Sequence, residues 1–239
     1  MILENLQSRI KGGEVSQRRR RENPEKYRKL GCIVRKDFFV PRYSESLAEL
    51  IGIILGDGAI SKYQVRISLE SNRDKYYIPF VADLMTAQFG ERPYIASEKR
   101  ENCTHLTLSG INLVVTLERL GMQRGNKITN QISFPDWIKE NLAYRIAFTR
   151  GVFDTDGGFY FHEKAQRKYL GWCFCSFSKP LLNDVGETLR KLGFNVKKVG
   201  EHKLYMYSLS SISRYMEIIG SSNPKNATKL ELRRGAGVV

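Results

Sequence analysis

Leu50-Ile51-Gly52-Ile53-Ile54-Leu55-Gly56-Asp57-Gly58 returns 99 residues later as Thr149-Arg150-Gly151-Val152-Phe153-Asp154-Thr155-Asp156-Gly157. Each copy reads as a helix closed by an aspartate and a glycine. Small residues recur at every fourth position: Ala48, Gly52 and Gly56 in the first copy, Ala147, Gly151 and Thr155 in the second. Residues four apart share a helix face, so each copy carries a smooth seam running down to its aspartate. Small side chains at this spacing let two backbones approach closely. If the seams face each other, Asp57 and Asp156 arrive side by side at one end of the pair.

The flanks repeat as well. Ser44 or Ser46 can cap the first helix, with Ser46-x-x-Glu49 as a capping box, and Gly58 takes the place expected of a C′ glycine. Lys62, Gln64, Arg66 and Ser68 alternate with Tyr63, Val65, Ile67 and Leu69, which predicts a strand with one wet face. A helix over about 73–89, strands near 93–99 and 103–109, and a short helix over 110–120 follow. The second half offers strands near 158–163 and 169–177, a helix over 180–192, strands near 195–200 and 203–209, and a helix over 211–219. Gly121 and Gly220 each lie 64 residues after their aspartate, and Lys127 and Lys225 lie 70 and 69 after theirs. This regularity predicts an internal duplication of an αββαββα unit. The expected layout is α+β, with a first repeat over 45–135 and a second over 136–239. Residues 1–44 hold 12 Lys/Arg against 5 Asp/Glu with little helical periodicity, and read as a basic N-terminal arm.

The chain has 239 residues, 41% of them hydrophobic, and a formal charge of +14. It is long enough to bury a core, and the charge calls for a polyanionic partner. No apolar run approaches the roughly 20 residues of a membrane span, so nucleic acid is expected and a membrane is not. Residues 1–30 contain no apolar stretch of the kind a secretory leader needs. Cys32, Cys103, Cys173 and Cys175 lack zinc-site spacing; Cys173 and Cys175 read as reduced core thiols on one face of a strand, in a reducing intracellular setting. His105, His162 and His202 are scattered, and there is no P-loop.

An aspartate in the last turn of a helix faces the negative end of the helix dipole. Two of them packed together repel, so a proton or a cation must intervene. One or two carboxylates, completed by water and substrate phosphates, describe a Mg²⁺ site. Ions held there can polarise a phosphoryl oxygen, generate hydroxide and stabilise the leaving oxygen.

The two motif copies resemble those of the single-chain, two-repeat LAGLIDADG homing endonucleases, over about residues 44–232. The stretches Leu120-Gly121-Met122, Gly125-Asn126-Lys127, Asn130-Gln131, Pro135-x-Trp137-Ile138 and Ile219-Gly220-Ser221-Ser222-Asn223-Pro224-Lys225 strengthen the likeness. The resemblance implies two antiparallel sheets forming a DNA-binding saddle. It implies a monomeric intron-homing endonuclease, inside the cell at its DNA, that cuts both strands of a long non-palindromic target with two or three Mg²⁺ ions. Asp57 and Asp156 would bind the metals, with Gly56 and Thr155 beside them as metal-binding positions. Lys127 and Lys225 match the basic residue beside the metals. Glu70 in the first repeat, and Ser176 or Ser178 in the second, match the polar position near the metal-bound waters, where an uncharged amide is more familiar than a glutamate. Asp154 occupies the earlier acidic position, which is not a metal ligand, and the first repeat has Leu55 there.

DNA would be read in the major groove by Lys62, Gln64, Arg66, Ser68 and Lys99, and by His162, Arg167, Lys168, Tyr169, Lys197 and Tyr207. Two other readings share the scaffold. One is an intron maturase that binds RNA. The other is a DNA-binding regulator without cleavage, against which the retention of both carboxylates and Lys127 argues. The ends carry no splice-junction residues, so an intein is not expected.

Overall fold

In the computed structural model, which describes residues 2–32, 34–164 and 167–235, each motif copy is a central helix feeding a sheet. Helices α1 (Ile2–Glu22) and α2 (Pro24–Lys29) come first. Helix α3 (Glu45–Asp57) leads into β1 (Gly58–Ile60), β2 (Gln64–Glu70), α4 (Tyr77–Phe89), β3 (Tyr94–Glu98), β4 (Cys103–Ser109) and α5 (Ile111–Arg119). After a short α6 (Asp136–Lys139) the plan repeats as α7 (Leu142–Asp156), β5 (Gly157–Lys164), β6 (Arg167–Cys175), α8 (Lys179–Lys191), β7 (Lys197–Val199), β8 (Lys203–Met206) and α9 (Leu209–Ile218). Helix α10 (Pro224–Gly235) closes the described chain. The two sheets are antiparallel and have the same order, β1-β2-β4-β3 and β5-β6-β8-β7. The duplication expected from the matched spacings is therefore present, in an α+β fold.

Register decides which face is dry. Arg66 pairs with Thr107 and Ser68 with His105, which turns Val65, Ile67, Leu69, Leu106 and Leu108 inward, all buried. The second sheet turns Phe159, Leu170, Trp172, Phe174, Leu204 and Met206 inward, and Phe153 of α7 stacks on Trp172 with centroids 5.3 Å apart. The flanking helices add Val81, Met85, Phe89 and Leu113 to the core, and Leu182, Val185, Leu189 and Tyr215 on the other side.

Helices α3 and α7 pack along their seams. A Cβ on Gly52 would stand 2.5 Å from the Phe148 carbonyl oxygen, and one on Gly151 would stand 2.3 Å from that of Glu49. The seam residues thus let the two backbones touch. Asn141 caps α7 through the Ala143 amide, at 2.9 Å. Ser44 caps α3 through the Leu47 amide, at 3.1 Å. Ser44 is thus the cap, and the Ser46–Glu49 capping box does not form. Glu49 is buried instead, paired with Arg150 at 2.8 Å and accepting a hydrogen bond from Ser222. Arg150 also donates to the Ile219 carbonyl, at 3.0 Å. Glu49→Ala would strand this guanidinium at the seam, and a loss of about 2 kcal/mol is expected in urea unfolding.

Three further expectations change. Gly58 and Gly157 are not left-handed C′ residues: at φ −93° and −117° they are extended, and each helix runs straight into a strand. Cys173 and Cys175 are half-buried on the solvent-facing side of β6, because Trp172 and Phe174 take the inner side. The basic N-terminal segment contains helices despite its weak periodicity. Leu, Gln, Glu and Arg are good helix formers, and α1 is a polar helix with little to bury. Residues 36–43 touch both repeats: the Phe39 amide donates to the Phe89 carbonyl of the first at 3.0 Å, Lys36 pairs with Glu91 of the first at 3.2 Å, and Tyr43 stacks on Trp137 of the second at 4.4 Å. Among the described residues no helix is long and apolar enough to cross a membrane.

Candidate active site

Asp57 and Asp156 are the last residues of α3 and α7, so the seam that joins the helices brings their carboxylates together. Burial raises both to a pKa of about 6; Lys127 and then Lys225 pull Asp57 down while Asp74 pushes it up. Asp57 pushes Asp156 up, and Lys127 pulls it down. Asp156 is exposed to solvent, which screens part of the raising effect of burial on its carboxyl. The Lys127 ammonium donates to the Gly56 carbonyl; burial lowers its pKa, and Asp156 and Asp57 offset only part of that. A hollow of about 300 Å³ opens here, lined by Gly56, Lys127, Asp156, Ser176 and Phe177 among others.

Lys127 serves both repeats, and Lys225 serves the other one. Lys225 donates to Asp74 of the first repeat at 2.9 Å and acts electrostatically on Asp57, although its spacing ties it to Asp156. Asp74 is buried and also accepts from Asn223 Nδ2 at 2.7 Å. The end of the second repeat is thereby fastened to the first. Thr155 directs its hydroxyl hydrogen back to the Gly151 and Val152 carbonyls, at 3.1 and 3.0 Å.

Glu70 is engaged elsewhere. Its carboxylate accepts from the Asn72 and Arg73 amides at 3.3 and 2.6 Å and from the Asn102 side chain, which closes the turn after β2. Ser176 lines the hollow and accepts from the Ser178 amide at 3.2 Å. Ser178 donates to the Ile132 carbonyl and caps α8. Asp154 is buried and accepts from the Ser222 and Asn223 amides at 2.7 and 3.1 Å, from Asn226 at 3.1 Å, and from Ser221. Burial pushes its pKa up to about 7 while these donors pull it down. It therefore anchors the turn before α10. Sequence reasoning missed this polar network of Asp74, Asn223 and Asn226; the only trace was the unusual density of Ser and Asn in Ser221-Ser222-Asn223.

Gln64, Arg66 and Ser68 stand together on the solvent-facing side of the first sheet, Ser68 bonded to His105 Nδ1 at 2.9 Å. Lys62 and Lys99 are exposed in the flanking turns. On the second sheet His162, Tyr169 and Tyr207 are ring neighbours, and Lys197 is exposed. The side chains of Arg167 and Lys168 lie outside the described residues. Tyr160 and Tyr205, absent from the expected set, complete the aromatic group.

The family of LAGLIDADG-like domains matches residues 143–223. Among curated proteins the chain is 24% identical over 222 residues to a tRNA-splicing ligase RtcB of Methanopyrus kandleri, covering 80% of this chain and 22% of that protein. It is 26% identical over 197 residues to a replication factor C small subunit of Methanocaldococcus jannaschii, covering 79% and 10%. The chain thus spans about a fifth or a tenth of the length of these relatives. Among solved structures, I-DmoI in complex with DNA and Ca superposes with a TM-score of 0.52 at 19% identity, over 78% of this chain and 97% of that one. The LAGLIDADG meganuclease I-AabMI bound to uncleaved DNA gives 0.51 at 10% identity, over 81% and 92%. The N-terminal LAGLIDADG domain of DUF199/WhiA gives 0.50 at 17% identity, over 74% and 82%. These likenesses establish the fold.

Proposed function

We propose that this chain, which has the LAGLIDADG fold and a LAGLIDADG-like domain over residues 143–223, is a site-specific double-strand DNA endonuclease dependent on divalent metal. One observation carries the reading: Asp57 and Asp156 end the two paired helices and meet at their foot, beside the Lys127 ammonium and an open hollow. Such a pair is costly at neutral pH without a cation. Asp57, Asp156 and the neighbouring carbonyls form an all-oxygen donor set, which suits Mg²⁺. Ions bound there would polarise the scissile phosphate and activate water. Lys127 and Lys225 would balance phosphate charge, and the sheets would set the register on a long, asymmetric target. A monomer suffices, because both halves of the site lie in one chain. Similar segments inside two proteins with unrelated names support a mobile, homing element placed at DNA.

A DNA-binding protein without cleavage is the second reading. The observation in its favour is that the Lys127 ammonium already bonds the Gly56 carbonyl and feels both carboxylates. Selection from a randomised duplex library separates the readings. Cutting in Mg²⁺, binding without cutting in Ca²⁺ and silence in EDTA are expected. Binding without cutting in every metal would favour the regulator, and tighter binding to intron RNA the maturase.

The metal competes with protons for the two carboxyls. Ca²⁺ binding is therefore expected to tighten as pH rises through 6 and to weaken by at least about tenfold for each unit below it. Calorimetry at pH 5 and 7.5 checks this, with proton release expected near pH 6.

A further inference from the structure

The solvent-facing sides of the two sheets are equivalent in topology and different in chemistry. On the first sheet Gln64, Arg66, Ser68, His105 and Thr107 present hydrogen-bonding groups. On the second, Tyr160 and His162 of β5, Tyr169 of β6, Tyr205 of β8 and Tyr207 just beyond it form one continuous aromatic array. Tyr160 packs edge-on to Tyr205 at 6.0 Å and Tyr205 stacks on Tyr207 at 5.7 Å. Tyr207 packs edge-on to His162 at 6.0 Å, and His162 stacks on Tyr169 at 5.5 Å. The ring of Tyr160 lies across the sheet over Gly171, where a Cβ would come within 2.6 Å of it. The array is not core, because the other face of these strands already closes on Trp172, Phe174 and Met206. Tyr169 and Tyr207 remain 39% and 47% exposed.

Strands β1 and β5 leave directly from Asp57 and Asp156. A duplex whose phosphates reach the aspartates therefore continues onto both sheets. The stacked rings cover much of one another's faces, so edges and hydroxyls are what a ligand meets. Stacking on single-stranded bases needs free faces. Ring edges suit the major groove, where the distinctive apolar feature is the C5-methyl of thymine.

Resting on the endonuclease reading above, we propose that the two half-sites are read by different chemistry. The first sheet reads base edges through hydrogen bonds, and the tyrosine array of the second selects thymine through its C5-methyl group. The test uses the full chain in Ca²⁺ and the duplex enriched from a random library. Arg66→Ala relaxes preference in one half and so identifies the half under the first sheet. In the other half, replacing thymine by uracil one position at a time is expected to weaken binding about three- to fivefold at one or more positions, the scale of one buried methyl. 5-Methylcytosine should outbind cytosine there. Tyr207→Ser should erase a uracil effect that Tyr207→Phe keeps, with unchanged thermal melting.

Equal affinity for uracil and thymine throughout that half overturns the proposal and leaves the endonuclease reading intact. Tighter binding of single strands than of duplex also overturns it. Failure to enrich any duplex overturns the reading on which it rests.

Discussion

Asp57→Asn and Asp156→Asn are each expected to slow double-strand cleavage by about 10³-fold or more, while affinity for the target in Ca²⁺ changes only a few-fold. Losing a metal-held carboxylate forfeits several kcal/mol of transition-state stabilisation, and each 1.36 kcal/mol is about tenfold in rate. The residues proposed to hold DNA lie on the sheets, away from this pair. Stability should move the other way. Each carboxyl has a folded pKa of about 6 against 3.8 for an unperturbed aspartate, so the folded state holds the proton more tightly. Stability from this pair is present below about pH 4 and falls as pH rises through 6. Asparagine removes that loss. In metal-free buffer at pH 8 each variant should gain about 1–2 kcal/mol, after allowing for solvent at the mouth of the site. Near pH 4 it should match the parent. Thermal melts at both pH values, beside cleavage and binding assays, check the pair of effects. A parallel loss of binding and cleavage would sink the metal role.

Gly151→Val is expected to cost about 3 kcal/mol or more, enough to separate the halves in a marginal protein. The new Cβ would lie 2.3 Å from the Glu49 carbonyl oxygen and 3.0 Å from the Ile53 amide nitrogen. Backbone atoms on both sides leave no side chain to swing away. Since Asp57 and Asp156 meet only because these helices touch, any folded remnant should also lose metal affinity. The contrast is Gly12 in α1, which has nothing within 4 Å of an added Cβ. Gly12→Ala should leave the denaturant midpoint unchanged or slightly raised. Urea unfolding of both variants, with Ca²⁺ titration, is the measurement.

Much of the fold was legible because it depends on local periodicity. The strand alternation at 62–69 put Val65, Ile67 and Leu69 inside, as found, but Tyr63 lies before the strand and is exposed. Strand β1 was missed because three residues are too few to show alternation, and α1 because a helix with no packed face leaves no hydrophobic period. Cys173 and Cys175 were placed on a common face correctly, but on the wrong side. Strand pairing sets which side closes on the helices, and alternation alone does not. The aspartates were legible through their repeated seam. Glu70 was placed by analogy of position; the structure gives its oxygens to the amides of the following turn.

By itself the sequence determined the duplication, the pairing of two helices along Gly52 and Gly151, and the two aspartates at their foot. These follow from spacings within single elements, and a spacing is a property of the chain. Only the tertiary structure decided that Lys225 bonds to Asp74 and acts on Asp57, that Asp154 anchors the turn before α10, and that Tyr160 and Tyr205 join a continuous array. Each of these is a contact between residues far apart in the chain, chosen by which buried charge or exposed ring the packed helices and sheets bring within reach.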